Sequence, residues 1–420
     1  MKVVFCVHDS PHKHAGGPYS WVRRLLPSLQ QRGIKVKAFV FVSHGNPDDC
    51  PTLQGLKLAG IECVVMHWEE VRYTEDRIRW ILQELNKDLP DVFVPNLSVC
   101  GFYASRWVKA AGIPTIGVLH SDDFFHHTVI DEFVNGSEAY RFSAIVCVSK
   151  LLESLVEKNA HQLVITRLPY GTPIPDGRAS RSEVLNLIYV GRLVEEQKRI
   201  SEVTQALCKA TAQISGTKGF IYGDGAARKR VETIIEASSE ASVQLVGAVN
   251  SDHMQQEMLK SQVFVLLSDY EGLPIALMEA MACGLVPVCT DMRSGIHELI
   301  TAEENGLIVS DREEAFTHAI NRLKNEAGLW EKLSAKARLT VEREFSHEVC
   351  TDQWETFLKN MAAEKPKRYQ INIPRNMQLP LLKQGFKRED VRLPGMGERI
   401  KSIVSRIVSK YRLRKVMPFI

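Results

Sequence analysis

Apolar residues fall in short continuous runs separated by helix-length amphipathic stretches along most of the chain. Runs at 2–7, 36–42, 61–66, 91–94, 115–119, 144–148 and 163–168 have the character of parallel strands covered on both faces. The segments between them read as helices. Pro18–Gln31, for example, sets Trp21, Val22, Leu25, Leu26 and Leu29 on one face. The breaker-rich stretch that begins Gly171-Thr-Pro-Ile-Pro-Asp-Gly is the best candidate for a linker. A second series of apolar runs follows at 185–190, 218–222, 243–246, 263–267, 286–289 and 306–309. This β-then-α alternation predicts an α/β protein of two doubly wound, Rossmann-like parallel-sheet domains facing a cleft. Ligands are then expected at the strands' carboxyl ends, where strand order reverses. The divisions read from the pattern are 1–170, a linker at 171–186, 187–345, a closing helix at 346–363 and a tail at 364–420.

The tail breaks the pattern. Prolines 366, 374, 380 and 394 predict irregular structure over 365–397. Residues 398–416 then place Ile400, Ile403, Val404, Ile407, Val408 and Tyr411 on one helical face, with Arg399, Lys401, Arg406, Lys410, Arg412 and Arg414 largely opposite. Charge sharpens this picture. The chain of 420 residues has a formal net charge of only +3, yet fifteen Lys/Arg against four Asp/Glu lie from Glu364 onward. The preceding residues hold 38 against 46, so an acidic body carries a basic tail. Bulk binding of nucleic acid is not expected of such a body. Two readings of the tail stand: it lies on an anionic membrane surface, or its apolar face packs on the body or on another subunit.

Nine scattered cysteines with no C-x-x-C spacing read as reduced thiols rather than a zinc site or a disulfide framework. The five apolar residues Val3–Val7 are too few for a signal-peptide core and read as a first buried strand. A cytoplasmic protein is expected, with the tail offering a peripheral attachment at the inner face of the membrane.

The candidate chemistry gathers at strand ends. In Glu271-Gly-Leu-Pro-Ile-Ala-Leu-Met-Glu279, Pro274 suits the first turn of a helix. The Gly272 and Leu273 amides would then sit free at a helix N-terminus, a ready site for phosphate or a sugar hydroxyl. Glu279 lies among apolar neighbours and needs a partner, either an internal Lys/Arg or a ligand diol such as a ribose. Arg192 closes a strand and Lys198 follows six residues later, a pair of cations suited to a pyrophosphate. Gly223 and Gly225 form a tight strand-to-helix turn. Arg228 stands where a dinucleotide fingerprint needs its third glycine, which argues against NAD. Gly16 and Gly17 let a phosphate or sugar approach the backbone before the first helix. His8, His12 and His14 lack the carboxylates that would complete a metal site. His120 ends a strand and precedes Ser121, Asp122 and Asp123.

The Glu-x7-Glu spacing of Glu271 and Glu279, followed by Gly295, Glu298 and Asn305-Gly306-Leu307-Ile308-Val309, resembles the retaining glycosyltransferases of family 4, which have the GT-B fold. The resemblance spans about residues 1–363. It implies that Glu271 contacts the transferred sugar and Glu279 the nucleotide ribose. Arg192 and Lys198 would hold the donor diphosphate, His120 would lie near the sugar and acceptor, and Gly16 and Gly17 would contact the diphosphate. Gly223, Gly225, Gly272, Leu273 and Pro274 complete the donor side. Lys198 stands one residue later than in many members, and Tyr170 replaces the usual asparagine of the interdomain turn. The first domain would take a saccharide, lipid-linked or small-molecule acceptor, and the second a UDP- or GDP-linked sugar. No cofactor or metal is implied; the leaving phosphate would accept the acceptor's proton. Rival readings on the same fold are a phosphorylase, an epimerase, or a non-catalytic nucleotide- or sugar-binding partner subunit.

Overall fold

A computed structural model describes residues 1–11, 16–71, 73–157, 163–364, 367–377, 379–380 and 385–386. Strands β1 (Lys2–Asp9), β2 (Lys35–Val42), β3 (Glu62–His67), β4 (Val92–Val94), β5 (Ile116–Leu119), β6 (Ala144–Cys147) and β7 (Val164–Arg167) belong to the first half. They pair in parallel as β3-β2-β1-β4 and β5-β6-β7, and a bridge between Phe93 and Thr115 joins the two groups. The second half holds β8 (Leu185–Val190), β9 (Thr217–Tyr222), β10 (Val243–Gly247), β11 (Val263–Leu266), β12 (Val286–Thr290) and β13 (Leu307–Val309). These form one parallel sheet ordered β10-β9-β8-β11-β12-β13.

Each predicted strand is present, with its ends within two residues, because strands covered on both faces must be apolar at every position. Strand order reverses between β1 and β4 in the first sheet and between β8 and β11 in the second. The loops carrying Gly16–Gly17, Arg192–Lys198 and Glu271–Pro274 leave β1, β8 and β11 at these two points.

The chain crosses between the halves twice. At this double crossover Thr172 N–H donates to Phe345 O at 3.0 Å and His347 N–H to Thr172 O at 2.9 Å. A side chain at Gly171 would lie 2.8 Å from the His347 Cα, so only glycine lets the two passages run this close. Helix His347–Glu364 then returns to the first half. There Ser28 Oγ and His347 Nε2 are 2.6 Å apart, and Arg32 pairs with Asp352 and Glu355.

The described part of the tail contains neither helix nor strand, as its prolines predicted, and it is strapped to the first half. Tyr369 N–H donates to Ala111 O at 2.9 Å, and Ile371 and Asn86 exchange two hydrogen bonds. Phe386 is buried with its ring 5.5–6.4 Å from those of Phe102, Tyr103, Phe125 and Phe133. Burial of one such ring contributes about 1.5–3 kcal/mol, enough to fix the end of the strap. The predicted helix 398–416 lies outside the described residues.

Candidate functional site

The cleft between the halves is closed by close contacts of glycine backbone. A Cβ at Gly272 would lie 2.0 Å from His120 O, and one at Gly17 would lie 3.2 Å from the Ile275 side chain. Three ion pairs cross the same face: Arg24 with Glu279, Arg293 Nε with Asp122 Oδ2 at 3.0 Å, and Arg167 Nε with Glu298 Oε2 at 2.5 Å.

On the second half, the two cations and the first glutamate form one network. Glu271 is buried; Lys198 Nζ donates to its Oε1, and Gln197 Nε2 to its Oε2 at 3.2 Å. Gln197 Nε2 also reaches Tyr270 O at 3.1 Å, and its Oε1 accepts from exposed Arg192 Nη2 at 2.6 Å. Gln197 was not singled out in the sequence. It lies between Arg192 and Lys198, in the loop that delivers Lys198 to Glu271. A left-handed backbone at Arg199, φ 50°, turns the chain there into helix Ile200–Gln213.

Pro274 is the N-cap of helix Ile275–Ala282 rather than its first residue: its ψ of 104° is extended, and its carbonyl accepts from Leu277 and Met278 N–H. The Gly272 and Leu273 amides have no acceptor among the described residues and sit just ahead of that N-terminus. Glu279, two-thirds along the helix, is partly exposed and not enclosed by apolar side chains as its neighbours suggested. Its partner is Arg24 of the first half, 255 residues earlier.

Gly223 and Gly225 bring two loop backbones together. A Cβ at Gly223 would lie 1.8 Å from Gly191 O, and one at Gly225 would lie 2.4 Å from Leu193 O. Gly223 also has φ +135°, a conformation that side chains rarely adopt. The turn therefore fixes the loop carrying Arg192.

On the first half, His120 is buried with both ring nitrogens engaged, Nδ1 with Tyr170 Oη and Nε2 with Asn96 Oδ1, each at 2.5 Å. Burial, with His126 nearby, holds its pKa well below the ordinary histidine value, so the ring is neutral at pH 7. An oxygen acceptor at Nε2 and a hydroxyl at Nδ1 fit the tautomer protonated at Nε2. Tyr170, the departure from asparagine in the interdomain turn, thus ties the His120 ring to the protein. His120 meets the cleft through its carbonyl.

Asp122 accepts from His127 Nε2 at 2.7 Å besides pairing with Arg293. Burial acts upward on Asp123, but hydrogen bonds from His126 overcome it and hold its pKa at about 2. Gly16 caps helix Gly17–Gln31 and lies against Tyr19 of that helix, while Gly17 faces Ile275 of the second half. His8 packs against Phe41 and Trp68, while His12 and His14 lie outside the described residues.

The site residues named from the sequence therefore meet along one cleft, at the carboxyl ends of β1, β5, β8, β9 and β11. Residues 175–340 match the model of the family Glycosyl transferases group 1. The match lies within the second half of the chain.

The Salmonella typhimurium protein WcaL, named as a glycosyltransferase of colanic acid biosynthesis, is 29% identical over 341 residues, 74% of this chain and 81% of WcaL. An exopolysaccharide phosphotransferase of Streptomyces coelicolor is 28% identical over 226 residues, 53% of this chain but only 24% of that protein. This chain thus spans about a quarter of the Streptomyces protein and four-fifths of WcaL. Among solved structures, Anabaena HepE in complex with UDP superposes with a TM-score of 0.69 at 16% identity, covering 86% of this chain and all of HepE. The fold is GT-B.

Proposed function

We propose that the protein is a retaining, metal-independent glycosyltransferase that moves a sugar from a UDP- or GDP-linked donor to an acceptor hydroxyl. The observation that carries this reading is the Arg192–Gln197–Glu271–Lys198 network beside the free Gly272 and Leu273 amides. Two cations and a helix N-terminus converge where a departing diphosphate gathers charge, next to a carboxylate able to accept from sugar hydroxyls. The donor's C1–O bond to the diphosphate breaks, and the acceptor oxygen bonds to C1 on the same face. The acceptor's proton passes to the leaving phosphate oxygen. Arg192 and Lys198 neutralise that oxygen, Glu271 orients the sugar, Glu279 holds the ribose, and closure of the two domains excludes water. His120, neutral and fixed by Tyr170 and Asn96, shapes the acceptor wall through its backbone.

The first domain, 1–170, takes the acceptor and the second, which starts with β8 at Leu185 and runs to 345, takes the donor; 171–184 joins them and helix His347–Glu364 closes the pair. The match to WcaL, named for colanic acid biosynthesis, supports a role in polysaccharide biosynthesis, and the UDP bound to HepE supports UDP as the first donor base to try. A screen of UDP and GDP by thermal shift tests the donor site, since a bound nucleotide raises the melting temperature. One of the two should give a clear rise, and Glu279→Ala should reduce it. No rise with either nucleotide contradicts the assignment.

The tail supports a membrane location for the same activity. Phe386 packs against Phe125, and the neighbouring Phe124 is 63% exposed. The 34 residues that follow, 387–420, hold ten Lys/Arg against three Asp/Glu. A basic segment and an exposed aromatic beside the acceptor wall suit an anionic lipid surface. No helix among the described residues is long and apolar enough to cross a membrane. Vesicles containing phosphatidylglycerol should sediment with the full chain and release it in high salt. Phosphatidylcholine vesicles should not bind it, nor should either vesicle bind a chain lacking 387–420. Equal binding with and without the tail contradicts this location.

A further inference from the structure

Helix Gly17–Gln31 and helix Ile275–Ala282 meet across the cleft through a regular pair of positions. Gly17 and Arg24 are seven residues apart and Ile275 and Glu279 four apart, so each pair lies on one helical face. Gly17 approaches Ile275 closely enough that a Cβ would lie 3.2 Å from it, and two turns further along the first helix and one turn further along the second, Arg24 Nη2 donates to Glu279 Oε1. The Arg24 side chain is 21% exposed and that of Glu279 26%. Arg24 Nη1 is buried and has no hydrogen-bond partner among the described residues. Leaving a charged donor unsatisfied is costly, and an oxygen on Nη1 would remove that cost.

We propose that Arg24 is a donor-positioning residue supplied by the first domain: it holds one oxygen of Glu279 and offers Nη1 to an oxygen of the nucleotide's ribose. This rests on the reading of Glu279 as the ribose residue. Ribose recognition then depends on closure, because the arginine comes from one domain and the carboxylate from the other. A nucleotide binds tightly only when the acceptor domain is in place. A diphosphate without ribose gains nothing from Arg24. The neighbouring Arg23, whose side chain is pushed toward a lower pKa by burial and by Arg24, donates to Ser20 Oγ at 3.5 Å.

The test is isothermal titration of the full-length protein and its Arg24→Gln and Arg24→Lys variants with UDP, GDP and inorganic pyrophosphate. Arg24→Gln should weaken the nucleotide that the wild type binds by about tenfold and leave pyrophosphate unchanged, with Arg24→Lys intermediate. In turnover, donor KM should rise while kcat changes less than about threefold. The Arg24→Gln and Glu279→Gln effects should be non-additive. Unchanged or tighter nucleotide binding by Arg24→Gln overturns the proposal, the tighter case marking the pair as a latch that competes with ribose. An equal loss for pyrophosphate overturns it too, by showing a general charge effect. If the wild type binds neither nucleotide, the donor-site reading itself fails, a result distinct from a normal Arg24→Gln titration in a binding-competent protein.

Discussion

Replacing Lys198 with alanine is expected to lower kcat by about 10²–10³-fold, the scale on which removal of one charge-stabilising donor slows group transfer. Two effects act together. The departing diphosphate loses the ammonium that neutralises it, and among the described residues buried Glu271 keeps only Gln197 as a partner. With side chains 13% and 9% exposed, Lys198 and Glu271 form a pair whose rupture costs about 3–5 kcal/mol. The variant should therefore also melt at a lower temperature. Adding Glu271→Gln to Lys198→Ala removes the stranded charge and should restore melting without restoring turnover. Steady-state kinetics beside thermal melts of the single and double variants separate the two effects. A Lys198→Ala protein with wild-type kcat would remove Lys198 from the chemistry.

Gly272→Ala is expected to lower kcat/KM by roughly 10²-fold while leaving each domain folded, because small misplacements of reacting groups carry penalties of this order. Its new methyl carbon would lie 2.0 Å from His120 O, 2.9 Å from the His120 carbonyl carbon and 3.1 Å from Ser121 Cα. All three are backbone atoms of the opposite domain, so no rotamer change relieves the clash and the domains must separate. Gly177→Ala is the matched control, since its methyl would meet only Leu259, at 3.8 Å. Melting temperatures of both variants should stay near that of the wild type. Full activity in Gly272→Ala would show that closure of these two loops is not needed.

Strands and their connections were legible in the sequence for one physical reason. A parallel strand between two helical layers has no polar face, so its apolar run marks its ends closely, as at 185–190, where prediction and structure coincide. The strand-end residues Arg192, Lys198, Glu271 and Glu279 could be gathered too, because a doubly wound sheet brings its carboxyl ends together. Partners across the cleft could not. Nothing around Arg24 announces Glu279, since the contact forms only after two domains fold and dock. The same holds for Asp122 with Arg293. Gln197 was hidden differently: its role depends on a loop geometry set by the left-handed Arg199. Tyr170 was visible as a departure from the usual asparagine, but its bond to His120 joins strand-end loops 50 residues apart. The strap was read only as irregular. Its lack of periodicity concealed the two buried anchors Ile371 and Phe386.

The measurement that bears most directly on the account is transfer itself. The protein should be incubated with a panel of UDP- and GDP-sugars and saccharide acceptors, with free nucleotide measured and the product's anomeric proton coupling read by NMR. The account predicts nucleotide release from at least one donor, lost in Lys198→Ala, and a product with the donor's anomeric configuration. No release from any donor, or a product with inverted configuration, would contradict it.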